Sequence, residues 1–178
     1  MDLEATSRRL NAMIRNIPDF PQPGVMFKDI TPILQDPRGL RDAVDAMLEP
    51  FRDKGIDVIV GLESRGFLFG APMAYVMGLG FVMVRKVGKL PGEKIHIAYD
   101  LEYGSNTLEL HTDAIKPGQR VLLVDDLLAT GGTMGASIDL VKRLGGEVAG
   151  ISFLIELDFL KGRDRLRDYD VRTLIHVT

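Results

Sequence analysis

The chain has 178 residues, 46% of them hydrophobic and 26% charged, with a net charge of −3 and no cysteine. This is the composition of an ordinary globular protein, expected to form one domain over residues 1–178 with a substantial core, and it excludes a disulfide framework or a thiolate metal site. The acidic balance leaves no electrostatic footprint for nucleic acid, no apolar stretch approaches the ~20 residues of a membrane span, and the start Met1-Asp2-Leu3-Glu4 is unlike a signal peptide, so the expectation is a cytoplasmic protein with neither nucleic acid nor membrane as a partner.

From the N-terminus, a first helix is expected to carry Leu10, Ile14 and Ile17 on one face, after which Pro18, Pro21 and Pro23 force an irregular segment. Asp36 as N-cap with Pro37 at N1 opens a second helix. Its Leu40, Val44, Met47 and Phe51 recur with helical spacing, and Gly55 is the candidate C′ residue. Residues 57–62 read as a strand, 66–77 as a helix and 81–84 as a strand. Residues 94–112 alternate and turn near Tyr103-Gly104, which suggests an antiparallel hairpin or flap. Residues 121–124 form a short apolar strand, a helix then runs to Leu144, and Gly145-Gly146 stops it. Residues 148–157 and 171–177 supply two further strands. No repeat, low-complexity segment or linker interrupts the order. His96, His111 and His176 are scattered without ligand spacing.

Strands alternating with helices predict an α/β fold, a mostly parallel central sheet with helices on both faces. In such sheets ligands bind beyond the carboxyl ends of the strands. Three polar motifs fall at three such ends: Glu63-Ser64-Arg65-Gly66, Arg85-Lys86 and Asp125-Asp126.

The run Val121-Leu-Leu-Val-Asp-Asp-Leu-Leu-Ala-Thr-Gly-Gly-Thr133 is the most informative stretch. Four apolar residues read as a buried strand, two carboxylates stand where that strand should end, and a small-residue loop follows. Met134, Ile138 and Val141 then recur on one helical face. The loop Ala129, Thr130, Gly131, Gly132 and Thr133 therefore sits at a helix N-terminus, where free N–H groups and the helix dipole meet an anion. The sequence lacks the Gly-x-x-x-x-Gly-Lys-Ser/Thr of a nucleotide-triphosphate loop: Gly88-Lys89 is followed by Leu90. It also lacks a dinucleotide fingerprint, since Gly78-Leu79-Gly80 leads into a strand and not a helix. Asp125 and Asp126 beside a phosphate would repel it unless hydroxyl groups, which can donate to carboxylates, lie between. A phosphate on one side and vicinal hydroxyls on the other describe a ribose 5-phosphate.

This run resembles the phosphoribosyl-pyrophosphate signature of the type I phosphoribosyltransferases. Four further blocks are similar to the adenine-specific branch of that family, in the same order: Phe20-Pro21-x-Pro23-Gly24-Val25-x-Phe27-x-Asp29-Ile30, Glu63 to Gly70, Arg85-Lys86-x-Gly88-Lys89-Leu90-Pro91-Gly92, and Leu101-Glu102-Tyr103-Gly104. The match covers nearly the whole chain. It implies a type I phosphoribosyltransferase-like fold with a small antiparallel flap and an N-terminal helical, proline-rich base-binding segment. It also implies purine salvage by transfer of a phosphoribosyl group to adenine, with Mg2+ carried mainly by the substrate and no ligand directly from the protein, and a homodimer.

On this resemblance Ser64, Arg65, Arg85, Lys86 and Lys89 face pyrophosphate, the last three as a hinged basic lid. Asp125 and Asp126 hold the ribose hydroxyls. Met26, Phe27, Lys28 and Leu127 form the base site, and Glu102, Arg65 and Lys86 are the catalytic candidates, with Glu102 near the base proton. Lys28 departs from the family pattern, which usually carries Arg there. Two other readings stay open: a transferase for a 6-oxopurine such as hypoxanthine or xanthine, and a regulator that binds phosphoribosyl pyrophosphate without catalysis.

Overall fold

Apolar runs bounded by turn residues become the strands of a seven-stranded sheet, in a computed structural model that describes residues 2–100 and 105–178. In chain order the elements are α1 (Leu3–Met13), β1 (Arg15–Ile17), β2 (Phe27–Asp29), α2 (Thr31–Gln35), α3 (Pro37–Leu48), β3 (Val58–Leu62), α4 (Gly66–Met77), β4 (Gly80–Lys86), β5 (Lys94–Asp100), β6 (Ser105–His111), β7 (Arg120–Leu128), α5 (Gly132–Arg143), β8 (Glu147–Leu157) and β9 (Val171–Val177). Short 3₁₀ turns occupy Glu49–Phe51, Asp158–Leu160 and Gly162–Leu166.

The sheet order is β5-β6-β4-β3-β7-β8-β9. The pairs from β4 to β9 are parallel; β6 joins β4, and β5 joins β6, antiparallel. The expected sheet and hairpin are both present. One apolar cluster fills the face under α5 and another the face under α1, α3 and α4. In β7 Val121, Leu122, Leu123 and Val124 are fully buried between the two, so truncating Leu122 or Leu123 to Ala should cost about 2–5 kcal/mol.

Asp36 caps α3 as expected, its Oδ1 accepting from Gly39 N–H at 2.5 Å, with Pro37 at the first helical position. Three differences from the sequence expectation stand out. The first helix ends at Met13 and buries Leu10 alone, because residues 15–17 leave it to pair with residues 27–29 in a separate two-stranded ribbon. The short α2 follows that ribbon. The signature strand does not end before the acids but runs on to Leu128: β3 accompanies it only to Gly61↔Val124, whereas β8 accompanies it to Leu128↔Glu156. Asp125 and Asp126 thus extend past the end of β3, supported on one side only.

Candidate active site

At the carboxyl ends of β3 and β7 the chain leaves in opposite directions, β3 toward β4 and β7 toward β8. Such a switch point is where ligands enter a sheet of this kind. A cavity of about 470 Å³ opens there, lined among others by Ser64, Arg65, Lys86, Asp125, Asp126 and Thr133. The Glu63-Ser64-Arg65-Gly66 motif meets it through all three of its polar residues, Asp125-Asp126 through both, and the Arg85-Lys86 motif through Lys86 alone. The Glu63–Ser64 peptide bond is cis.

The loop Ala129–Thr133 borders this cavity and lines a smaller pocket of about 70 Å³ with Asp125 and Met134. Gly131 caps α5 in the left-handed conformation, φ 79°, which a side chain would disfavour. Behind it lies Gly162: a Cβ on Gly131 would stand 2.7 Å from the Gly162 carbonyl oxygen, and a Cβ on Gly162 would run into the Ala129 carbonyl oxygen. The two backbones interlock because neither residue has a side chain. Thr133 Oγ1 lies 3.1 Å from the Tyr99 hydroxyl, which ties β5 to the loop.

Asp126 is almost fully buried and Asp125 partly so. Burial pushes the Asp125 carboxyl well above the ordinary carboxylate range and the charge of Asp126 adds to this, while the Asp126 N–H, donating to Asp125 Oδ1 at 2.9 Å, opposes it. Burial also raises Asp126, against the pull of the Arg65 guanidinium. Arg65 Nε is 2.6 Å from Asp126 Oδ2, yet that oxygen has no hydrogen-bond partner of good geometry. Buried as it is, this oxygen has its charge paired by the Arg65 guanidinium.

Arg65 also stands over the Phe27 ring, 5.4 Å from its centroid. Phe27 in turn meets Phe20 edge-on at 5.1 Å. Together with Ile30, Leu34 and Leu68 they line an apolar pocket of about 500 Å³ on the far side of Arg65. One guanidinium therefore borders both the acid-lined cavity and an aromatic pocket.

Of the expected base residues, the structure brings Phe27 to the aromatic pocket and Leu127 to the acid-lined cavity. Met26 is half exposed and lines neither. Lys28 faces away, since strand alternation puts it on the opposite side of β2 from Phe27, and its Nζ donates to Asn16 Oδ1 at 2.7 Å. Of the expected pyrophosphate residues, Ser64, Arg65 and Lys86 line the cavity; Arg85 and Lys89 do not. Arg85 is occupied by Glu63, Nε to Oε2 at 3.2 Å, and by the Lys89 carbonyl at 3.0 Å. Burial would push the Glu63 carboxyl up, but the Lys86 amide and the Arg85 guanidinium outweigh it and hold it below the ordinary range. Glu102, with the block Leu101 to Gly104, lies outside the described residues.

Sequence reasoning missed Tyr99 and Asn106, which line the cavity from the hairpin. Tyr99 carries a signal in retrospect: it shares the inward face of β5 with Ile95 and Ile97, and an inward tyrosine needs a partner for its hydroxyl. Glu156, Asp158 and His176 also converge at the far edge of the sheet, with ligand atoms within 4.8 Å of one another. Glu156 there is already engaged by Arg163 and Thr173.

Comparison with known proteins gives this arrangement its family. The phosphoribosyl transferase domain matches residues 29–177. The adenine phosphoribosyltransferase of Clostridium perfringens (strain 13 / Type A) is 60% identical over 166 residues, 93% of this chain and 96% of that protein. The chain belongs to the adenine phosphoribosyltransferase family. The crystal structure of the Rhodothermus marinus DSM 4252 member superposes with a TM-score of 0.93 at 52% identity, covering 97% of this chain and 99% of that one. The Saccharomyces cerevisiae member, complexed with D-2,5-dideoxy-2,5-imino-altritol 1,6-bisphosphate and adenine, gives 0.90 at 43% identity over 96% and 98%. As a member of this family the chain is a transferase. No helix among its described residues is long and apolar enough to cross a membrane.

Proposed function

We propose that this site transfers the 5-phosphoribosyl group of phosphoribosyl pyrophosphate to N9 of adenine, giving AMP and pyrophosphate. The observation that carries the reading is the position of Arg65 between two unlike pockets, one built for phosphates and hydroxyls and one aromatic. The related proteins carry the name of the adenine enzyme, which sets aside the oxopurine transferase and the non-catalytic regulator.

The loop Ala129–Thr133 receives the 5′-phosphate on its amides and hydroxyls at the α5 N-terminus. Asp125 and Asp126 accept from the ribose hydroxyls, and Ser64, Arg65 and Lys86 take the pyrophosphate. Phe27 supplies the stacking face for the base, while the main chain of residues 26–28 offers donors and acceptors to its edge, so the Lys28 side chain need not take part. As the C1–O bond to pyrophosphate breaks and the C1–N9 bond forms, positive charge develops at C1 and the N9 proton must leave. Glu102 is assigned that proton by family resemblance. A magnesium ion here would be held chiefly by substrate oxygens, since it keeps several waters and takes few protein carboxylates. Such an ion, when bound, neutralises charge on the leaving pyrophosphate.

The 178 residues act as one domain, since both apolar clusters share one sheet. A second copy covers α4, whose Leu68, Tyr75 and Val76 are exposed on an otherwise apolar helix. The deciding experiment is AMP formation from phosphoribosyl pyrophosphate and magnesium, with adenine, hypoxanthine, guanine and xanthine offered in parallel. Adenine alone should turn over; turnover of an oxopurine instead would overturn the base assignment.

A further inference from the structure

Glu109 has no part in the site as described, yet it is only 4% exposed, an uncommon state for a glutamate. It lies on β6 opposite Arg85 of β4, while the next pair, Lys86 and Leu108, faces the cavity. Its Oε2 accepts from the Gly88 N–H at 3.1 Å and from the Leu90 N–H at 3.4 Å. One step earlier Glu63 accepts from the Lys86 N–H at 3.0 Å. The carbonyls of the same loop are held as well: Lys89 by Arg85 at 3.0 Å, Leu90 by Lys94 Nζ at 2.8 Å, and Pro91 by His111 Nε2 at 2.8 Å. The Leu90 side chain is buried beneath. A loop whose polar groups are satisfied from below and whose apolar residue is inserted in the core has little freedom to hinge.

We infer that Glu109 is a positioning residue for the pyrophosphate side of the site: by fixing the Gly88 to Leu90 backbone it sets the direction in which Lys86 enters the cavity beside Ser64 and Arg65. The inference rests on reading that cavity as a phosphoribosyl pyrophosphate site. Lysine is a flexible point charge that gains precision only from its support. In a segment holding Arg85, Lys86 and Lys89, two carboxylates under the backbone also offset the mutual repulsion of the cations. Arg85 and Lys89 are thereby part of the support for Lys86.

The test compares two ligands that share the protein but not the subsite. Pyrophosphate with magnesium reports on the Lys86 side, and AMP reports on the 5′-phosphate loop and the base pocket. Glu109→Ala should weaken pyrophosphate binding and raise KM for phosphoribosyl pyrophosphate by roughly tenfold to a hundredfold, as expected for a misplacement of up to about 1 Å. AMP affinity should stay within about twofold, because its contacts do not pass through this loop. Glu109→Gln keeps an oxygen that can accept from both amides and should recover most of the loss. Equal weakening of both ligands, or no change in either, would overturn the inference. If Glu109→Ala does not fold, Glu109→Asp, with its shorter reach, serves the same comparison. Wild-type protein that binds neither ligand would overturn the reading of the cavity itself, and this inference with it.

Discussion

Gly162→Ala adds one methyl group far from any reacting atom and should nevertheless disable the phosphate loop. The new Cβ would meet the Ala129 carbonyl oxygen and lie 3.0 Å from both Ala129 C and Gly131 N, where ordinary contact begins at 3.4 Å. These are backbone atoms, so no side chain can swing aside. The segment carrying Gly162 is the firmer partner. Arg163 beside it forks onto buried Glu156, at 3.0 Å from Oε1 and 2.5 Å from Oε2, and also holds the Val171 carbonyl and Thr173 Oγ1 at 3.0 Å each. Leu166 is fully buried. The loop must therefore move, on the order of 1 Å, and a displacement of that size costs about a hundredfold in a positioned site, or roughly 2.7 kcal/mol.

Steady-state kinetics should show KM for phosphoribosyl pyrophosphate rising by about that factor, and calorimetry should show AMP binding weakened in parallel. Gly135→Ala is the control, because nothing lies within 4 Å of its Cβ. It should leave kinetics unchanged and stabilise α5 by about 0.5–1 kcal/mol. A Gly162→Ala protein that folds and keeps the wild-type KM would show that the interlocked glycines do not shape the loop.

Three further outcomes follow from the site. Because burial raises the Asp125 and Asp126 carboxyls in the free protein, the stability of their protonated forms is present below the ordinary value of 3.8 and is lost as pH rises through the raised folded values. Ribose hydroxyls that donate to the ionised forms pull those values down, so AMP binding in mild acid should release more protons from wild type than from Asp125→Asn; identical buffer dependence of the binding enthalpy in the two proteins would refute the hydroxyl contact. Arg65→Lys keeps the charge but loses the planar group over Phe27 and should raise KM for both adenine and phosphoribosyl pyrophosphate by roughly tenfold or more, whereas an effect on only one substrate would deny that Arg65 serves both pockets. Tyr75→Asp, at an exposed position on α4, should shift sedimentation toward a monomer, and unchanged association would place the second copy elsewhere.

Elements that satisfy themselves locally were legible in the sequence. The helix at residues 66–77 falls where the sequence reading puts it, and Asp36-Pro37 marks a helix start that the structure keeps. Elements that depend on a distant partner were not. Residues 125–128 extend the signature strand only because β8 runs beside them. The turn of residues 15–17 away from α1 depends on residues 27–29. The candidate site divides in the same way. Ser64, Arg65 and Lys86 stand at strand ends and Asp125 and Asp126 just past the last β3–β7 pair, so order along the chain was enough to bring them together. Glu109 alternates with buried Leu108 and Leu110 and reads as a solvent-facing residue until the loop after β4 is folded over it. Gly162 carries no side chain to notice, and only its distance to Ala129 and Gly131 reveals it.

The aromatic pocket draws much of its wall from the small β1–β2 ribbon, which is separate from the sheet that carries the acids and the anion loop. Three residue pairs define the ribbon, and the segment between its strands can change length or sequence without disturbing the register of β3, β7 or β8. Selection can thus work on the choice of acceptor and on the handling of the sugar phosphate as two separate traits. A lineage, or an engineer, seeking a new nucleobase can start from the ribbon, provided that the guanidinium at position 65, which touches both halves, is left in place.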